Sequence, residues 1–164
     1  LVRRNIYQCS EEVKALAYLS LVRPHLEYAA AAWDPYTQRD SDQLEKTQRR
    51  AARFVNSDYR CTLSLTEFIR DLNWKRLSDR RRNARLAVFF KALHRLIAIP
   101  VDHLQKPTRC IRRSGASSFK AICSSIDSYK ISLFPRTLVD WNSLPEPVRL
   151  KSSLDSFRGA LRSV

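Results

Sequence analysis

Two arginine runs in this chain have residue types and spacing able to do chemistry. Gln48-Arg49-Arg50-Ala51-Ala52-Arg53, with Lys46 just before it, sets its cations three and four residues apart. On a helix such positions are neighbours on one face. Asp79-Arg80-Arg81-Arg82-Asn83-Ala84-Arg85 repeats the arrangement with Arg81, Arg82 and Arg85, Arg80 lying alongside. A guanidinium carries a fork of donors that matches phosphate oxygens, and each phosphate it neutralises releases condensed counterions. Two such helices would flank a nucleic-acid backbone and hold it largely without reading bases. The candidate binding residues are therefore Lys46, Arg49, Arg50, Arg53, Arg80, Arg81, Arg82 and Arg85. Trp74, Phe68 and Tyr59 lie near enough in sequence to act as platforms for an unpaired base, although aromatics of this kind more often belong to a core. The competing use of the same arginines is a solvated face paired with Asp42, Glu45, Asp71 and Asp79.

Composition favours the binding reading. The 164 residues hold 30 Lys and Arg against 16 Asp and Glu, a formal charge of +14. Residues 46–95 alone carry 14 basic and 4 acidic side chains, which puts +10 of that charge into fifty positions. A patch of this strength implies a polyanionic partner, nucleic acid first and an anionic membrane surface second. The apolar blocks, such as residues 29–33 and 86–90, fall far short of the ~20 residues a membrane span needs, so a soluble protein without membrane attachment is expected. Methionine is absent, and the chain opens in mid-pattern at Leu1-Val2-Arg3-Arg4, so a fragment is expected.

The means of catalysis are sparse. Metal-assisted phosphoryl transfer needs clustered carboxylates, and the nearest case, Asp40-Ser41-Asp42, is better explained as a helix start. No glycine-flanked serine elbow and no cysteine with a positioned histidine is present. Cys9, Cys61, Cys110 and Cys123 lie far apart, and His25, His94 and His103 add no zinc spacing to them. No catalytic site, no metal site and no cofactor are expected in the chain itself.

The elements that must position the arginines read as helices. Only 2 glycines occur where average usage would give about eleven, leaving neither a phosphate loop nor the turns of an all-β fold. Ser10 sits where it would cap a helix running to about Val22, with Glu11 and Glu12 in its positive first turn. Pro24 is expected to kink or break that helix and to open a second one through Ala32. A helix over about 41–55 follows, with Asp40 and Gln43 at capping-box spacing. Ser64-Leu65-Thr66-Glu67 signals a short helix that stops near Asn73-Trp74, and residues 77–97 form the longest and most cationic one. From residue 99 onwards prolines accumulate, with a small-residue loop at 114–118. Alternation over 119–131 leaves room for a hairpin around 124–127, and two short helices are expected at about 135–144 and 153–161. Leu21, Leu26, Tyr28, Trp33, Trp74, Trp141 and Leu144 are assigned to the core or to domain contacts. The expected fold is mainly α, a bundle-like region over 1–98 and an irregular, proline-containing tail over 99–164 that has room for a small β-hairpin.

Particular strings say more than the periodicity does. "LVRRNIYQCSEEVKALAYLSLVRPHLEYAAAAWDPYT" over 1–37, then "LEKTQRRAARFV" over 44–55, "LNWKRLSDRR" over 72–81, "FFKALH" over 89–94, "SLFPRTLVDWNSLP" over 132–145 and a final "SLDSFRGAL" occur in this order. Together they resemble the segment that follows the polymerase core in reverse transcriptases of non-LTR (LINE-like, jockey-related) retrotransposons. The resemblance covers nearly the whole chain. It implies that residues 1–55 correspond to a helical thumb-like region gripping template and primer, and that the remainder corresponds to the family's C-terminal tail. It also implies a parent RNA-directed DNA polymerase whose magnesium is held by a Phe/Tyr-Ala-Asp-Asp motif. That motif, with the fingers and palm, is absent, so the chain is expected to bind RNA, DNA or an RNA–DNA hybrid, and to partner the missing polymerase domain, without polymerising alone. The alternative is a protein-interaction or structural remnant of a transposable element. Salt separates the two, since about five phosphate contacts would give a log–log slope near −4 to −5. The basic runs suit nuclear import and phosphate binding alike, so an intracellular site, nuclear or cytoplasmic, is expected.

Overall fold

The computed structural model describes residues 2–57, 69–107, 117–123 and 125–163. Regular structure among them is helical: α1 (Val2–Asn5), α2 (Glu11–Ala17), a π-helical turn (Tyr18–Val22), α3 (Arg23–Glu27), α4 (Ala30–Trp33), α5 (Gln38–Val55), α6 (Leu77–Leu93), α7 (Asp127–Lys130), α8 (Leu133–Ser143), α9 (Glu146–Arg149) and α10 (Leu154–Ser163). The protein is mainly α, as its glycine poverty and helical periodicity predict. No strand occurs among the described residues, and where the alternation left room for a hairpin, Asp127–Lys130 is a turn of helix. The Ser64–Glu67 capping box, Tyr59, Phe68, Cys61, Cys110 and most of the 114–118 loop lie outside the described residues. No described helix is long and apolar enough to cross a membrane.

Pro24 does not break the first helix. Proline cannot donate to the carbonyl four residues back and crowds it. The chain absorbs this by widening: the Arg23 N–H reaches the Tyr18 carbonyl across the π turn, and Pro24 takes the second position of α3. The Ser20 hydroxyl donates to the Leu16 carbonyl at 2.8 Å within this stretch. The break comes later, at Tyr28 and Ala29, where Ala29 has φ 48. α5 begins three residues ahead of its expected start, because Thr37 caps it. The Thr37 Oγ1 accepts from the Asp40 N–H at 3.1 Å and donates to the Asp40 carboxylate at 2.6 Å, a reciprocal cap of T-x-x-D form.

α6 ends at Leu93 rather than near Ile97. The Leu96 N–H donates to the Lys91 carbonyl and the Arg95 N–H to that of Ala92, the paired bonds of a Schellman cap, with Arg95 at φ 53. The turn at Asn73 and Trp74 closes the same way onto Ile69 and Arg70, with Asn73 at φ 51. Glycine normally fills the left-handed position in this motif. In a chain with only two glycines, asparagine and arginine take it in these two turns.

Two compact units divide the chain at Arg81 and Arg82, inside α6. The sequence boundary near residue 98 follows the onset of prolines, whereas this one follows packing. In the first unit, Leu1–Arg81, α2 lies on α5. Tyr18, Ala52, Val55 and Trp74 make its core, the Tyr18 and Trp74 rings stacking at 4.5 Å. In the second unit, Arg82–Val164, Leu86, Phe89 and Phe90 of α6 pack with Leu138, Trp141, Leu144, Val148, Phe157 and Leu161. The Trp141 Nε1 donates to the Ser117 carbonyl at 3.0 Å. The Asn142 side chain clamps Phe119, accepting from its N–H at 3.1 Å and donating to its carbonyl at 2.8 Å. One amide thus supplies both bonds that a neighbouring strand would give an extended residue. Of the large apolar residues assigned to packing, Trp74, Trp141 and Leu144 are buried, while Leu21, Tyr28 and Trp33 are exposed.

Candidate nucleic-acid interface

α5 is built as a two-faced helix. Glu45, Gln48, Ala52 and Val55 recur at three, four and seven residues and are buried. Lys46, Arg49, Arg50 and Arg53 recur at the same intervals on another face, a stripe rising about 10 Å. Lys46, Arg49 and Arg50 are exposed and Arg53 is half-buried. Lys46 reaches Gln43 at 3.5 Å, and among the described residues none of the four makes an ion pair. About 10 Å of cations spans about three steps, and so about four phosphates, of one strand at 3.4 Å per step. Gln48 and Glu45 hold the helix in place from its buried side. The Gln48 amide donates to the Lys75 carbonyl at 3.0 Å, and the Glu45 carboxylate accepts from the Ser78 N–H at 2.8 Å. That N–H belongs to the positive first turn of α6, where a carboxylate is favoured.

The second arginine run, also expected to bind phosphate, is occupied differently, each of its side chains paired with a carboxylate of the protein. Arg81 is only 1% exposed; its Nε donates to Asp34 at 2.8 Å and its Nη2 to the Ser41 hydroxyl at 3.0 Å. Burial pushes its guanidinium below the ordinary arginine range, with Glu45 and Glu27 pulling it partly back. Arg85, 4% exposed, donates to Asp140 at 2.6 Å, and burial lowers it too against the bond to Asp140. Arg82 donates to Asp140 at 3.0 Å and to the Ser143 hydroxyl at 3.0 Å. Arg80 forks onto Glu27 through Nε and Nη2, and that bond holds its guanidinium above its ordinary value. These four arginines hold the fold of their own units. The carboxylates that claim them are Glu27, Asp34 and Asp140, not the nearby Asp42, Glu45, Asp71 and Asp79.

Trp74 is buried against Tyr18 and offers no open platform. Asp40 serves the Thr37 cap and Asp42 accepts from the Gln38 amide at 2.9 Å, so both carboxylates of that pair are engaged at a helix start. Among the described residues no three His, Cys, Asp or Glu side chains gather as a metal site. Sequence reasoning missed Lys14. It lies on α2, 6% exposed, with its Nζ donating to the Ser57 hydroxyl at 2.8 Å. Its place two residues past the pair Glu11-Glu12 in an amphipathic pattern was the available signal, since it falls on the face that carries Tyr18.

No protein-family model matches the chain, and neither the curated proteins nor the solved structures yield a match.

Proposed function

We propose that this chain is a nucleic-acid-gripping region of a non-LTR retrotransposon reverse transcriptase, acting through the exposed face of α5 and without a catalytic site of its own. The order of its sequence blocks supports the family, and the uncompensated stripe of Lys46, Arg49, Arg50 and Arg53 supports the mode of binding. That stripe is the observation that carries the reading, because cations at a helix surface that make no ion pair among the described residues keep their capacity for phosphate. The grip is on the backbone of an RNA–DNA hybrid or a related duplex, and base identity plays little part. Polymerisation would belong to an upstream palm, where magnesium would be held.

The test is a titration against a labelled duplex over a salt series, beside a variant carrying Lys46→Gln, Arg49→Gln, Arg50→Gln and Arg53→Gln. Four contacts give a slope near −3 to −4, whereas all eight nominated cations would give about −7. Between 50 and 200 mM salt that is a loss of about 150-fold against one above 10⁴-fold. A slope near −3.5 that the variant abolishes is expected. No binding at low salt by the folded chain, or an unaffected variant, overturns the proposal.

A second reading, a protein-contact module, is favoured by Val13, Leu16 and Leu21, which are 44%, 64% and 54% exposed along α2 and the π turn. Its signature is association that barely responds to salt.

A further inference from the structure

Beside the stripe, the first unit holds a cavity of about 400 Å³. Ile6, Ala51 and Phe54 give it apolar walls, and Lys14, Arg50 and Arg53 bring cations to it. No carboxylate is among its described lining residues. Arg50 and Arg53 belong to stripe and cavity at once, so a strand lying on the stripe passes the cavity. Lys14 adds an independent indication. The residue is 6% exposed, and its ammonium lies 5.3 Å from the Phe54 ring centroid and has the neutral Ser57 hydroxyl as its hydrogen-bond partner, with no ion pair among the described residues. Partial removal of an ammonium from water without a counter-charge has a cost, and an arriving anion offsets it. The Arg3 guanidinium also approaches the Phe54 ring, at 5.7 Å.

A ligand fitting this cavity needs an apolar plane joined closely to negative charge. We infer that it seats one unstacked nucleobase of a single strand, whose flanking phosphates lie on Arg50, Arg53 and Lys14. The inference rests on the nucleic-acid reading above and narrows its substrate to a strand with at least one unpaired base. The lining accepts the face of any base, because stacking on apolar and aromatic walls does not depend on sequence. The volume lies within the range of small-ligand sites, which leaves room for a base and its sugar.

The test compares a single strand of ordinary nucleotides with an abasic strand of the same phosphate count, both bound to the unaltered full chain. The base-bearing strand should bind roughly ten-fold tighter with the same salt slope. A 2-aminopurine placed in it should change fluorescence on binding. Ala51→Leu, which fills the cavity from a good helix-forming position, should erase the ten-fold advantage and leave abasic binding unchanged. Equal binding of the two strands, with the salt slope and stripe dependence intact, overturns this inference and spares the proposed function. Absence of binding by either strand at 50 mM salt, with the duplex still bound, overturns this inference alone, and absence of binding by the duplex as well overturns both. Displacement of an abasic strand by an acidic amphipathic peptide, with no advantage from bases, also overturns it, by assigning the cavity to a protein partner. The strand comparison uses the unaltered chain, so it remains decisive even if the Ala51 variant fails to fold.

Discussion

Changing Arg81 to glutamine separates the two arginine runs most sharply. The Arg81 and Asp34 side chains are 1% and 6% exposed, joined at 2.8 Å, with a further bond from Arg81 to the Ser41 hydroxyl at 3.0 Å. Removing one partner of a buried pair leaves the other charge uncompensated, at a cost of about 3–5 kcal/mol. Glutamine keeps one donor group, which puts Arg81→Gln near 3 kcal/mol. With a urea dependence of about 1–1.5 kcal/mol per molar for a unit of this size, the midpoint falls by about 2–3 M. Arg49→Gln, by contrast, should move stability by no more than about 0.5 kcal/mol, since Arg49 is exposed and makes no ion pair among the described residues. Urea unfolding at pH 7 by circular dichroism, with hydrogen exchange in α5 to assign the loss to the first unit, reads both. Arg81→Met combined with Asp34→Leu removes both charges together and should recover most of the loss. An Arg81→Gln protein as stable as the parent refutes the reasoning. So does one that stays folded yet loses duplex affinity and salt slope as the α5 variant does.

Three other outcomes follow from the packing. Burial pushes the Tyr18 hydroxyl up to about 12 from its ordinary 10, so above pH 10 the unfolded chain gives up a proton that the native one keeps. Stability held in full below pH 10 should therefore fall by about 2 kcal/mol by pH 11.5, and the difference in urea midpoint between parent and Tyr18→Phe at pH 9 and 11.5 should show it. Asn142→Ala removes both bonds to Phe119, at a cost of about 1–3 kcal/mol, and should abolish exchange protection of the Phe119 amide. Arg95→Gly relieves a left-handed arginine at φ 53 and should raise the thermal midpoint, its gain of about 0.5–1 kcal/mol being strain relief less the added freedom of the unfolded chain.

Helical class and the basic face of α5 were legible because both are local. Capping residues, apolar spacing and cation spacing all act within a few turns, and residues 46–53 settle their own geometry. The α6 run has the same local spacing, and its fate depends on Glu27, Asp34 and Asp140, which lie 47 to 58 residues away in sequence. Periodicity carries no information at that range. The role of Asn142 is not legible in its local sequence, since clamping Phe119 depends on a segment 23 residues earlier. Pro24 misled for a related reason. Its missing donor is a local fact, but whether the helix breaks or widens is decided by what lies beneath it, and here Tyr18 is held against Trp74.

The π turn at Tyr18–Val22 makes the number of residues there as consequential as their kinds. Deleting one residue would restore ordinary helical winding and rotate everything before it by about 100° relative to α3. Lys14 would then swing away from Phe54 while every core side chain kept its chemical identity. Across diverging copies of such a sequence, this stretch should accept exchanges of similar side chains and reject changes of length, so an alignment gap inside 18–22 would mark a copy that has lost its Lys14 contact.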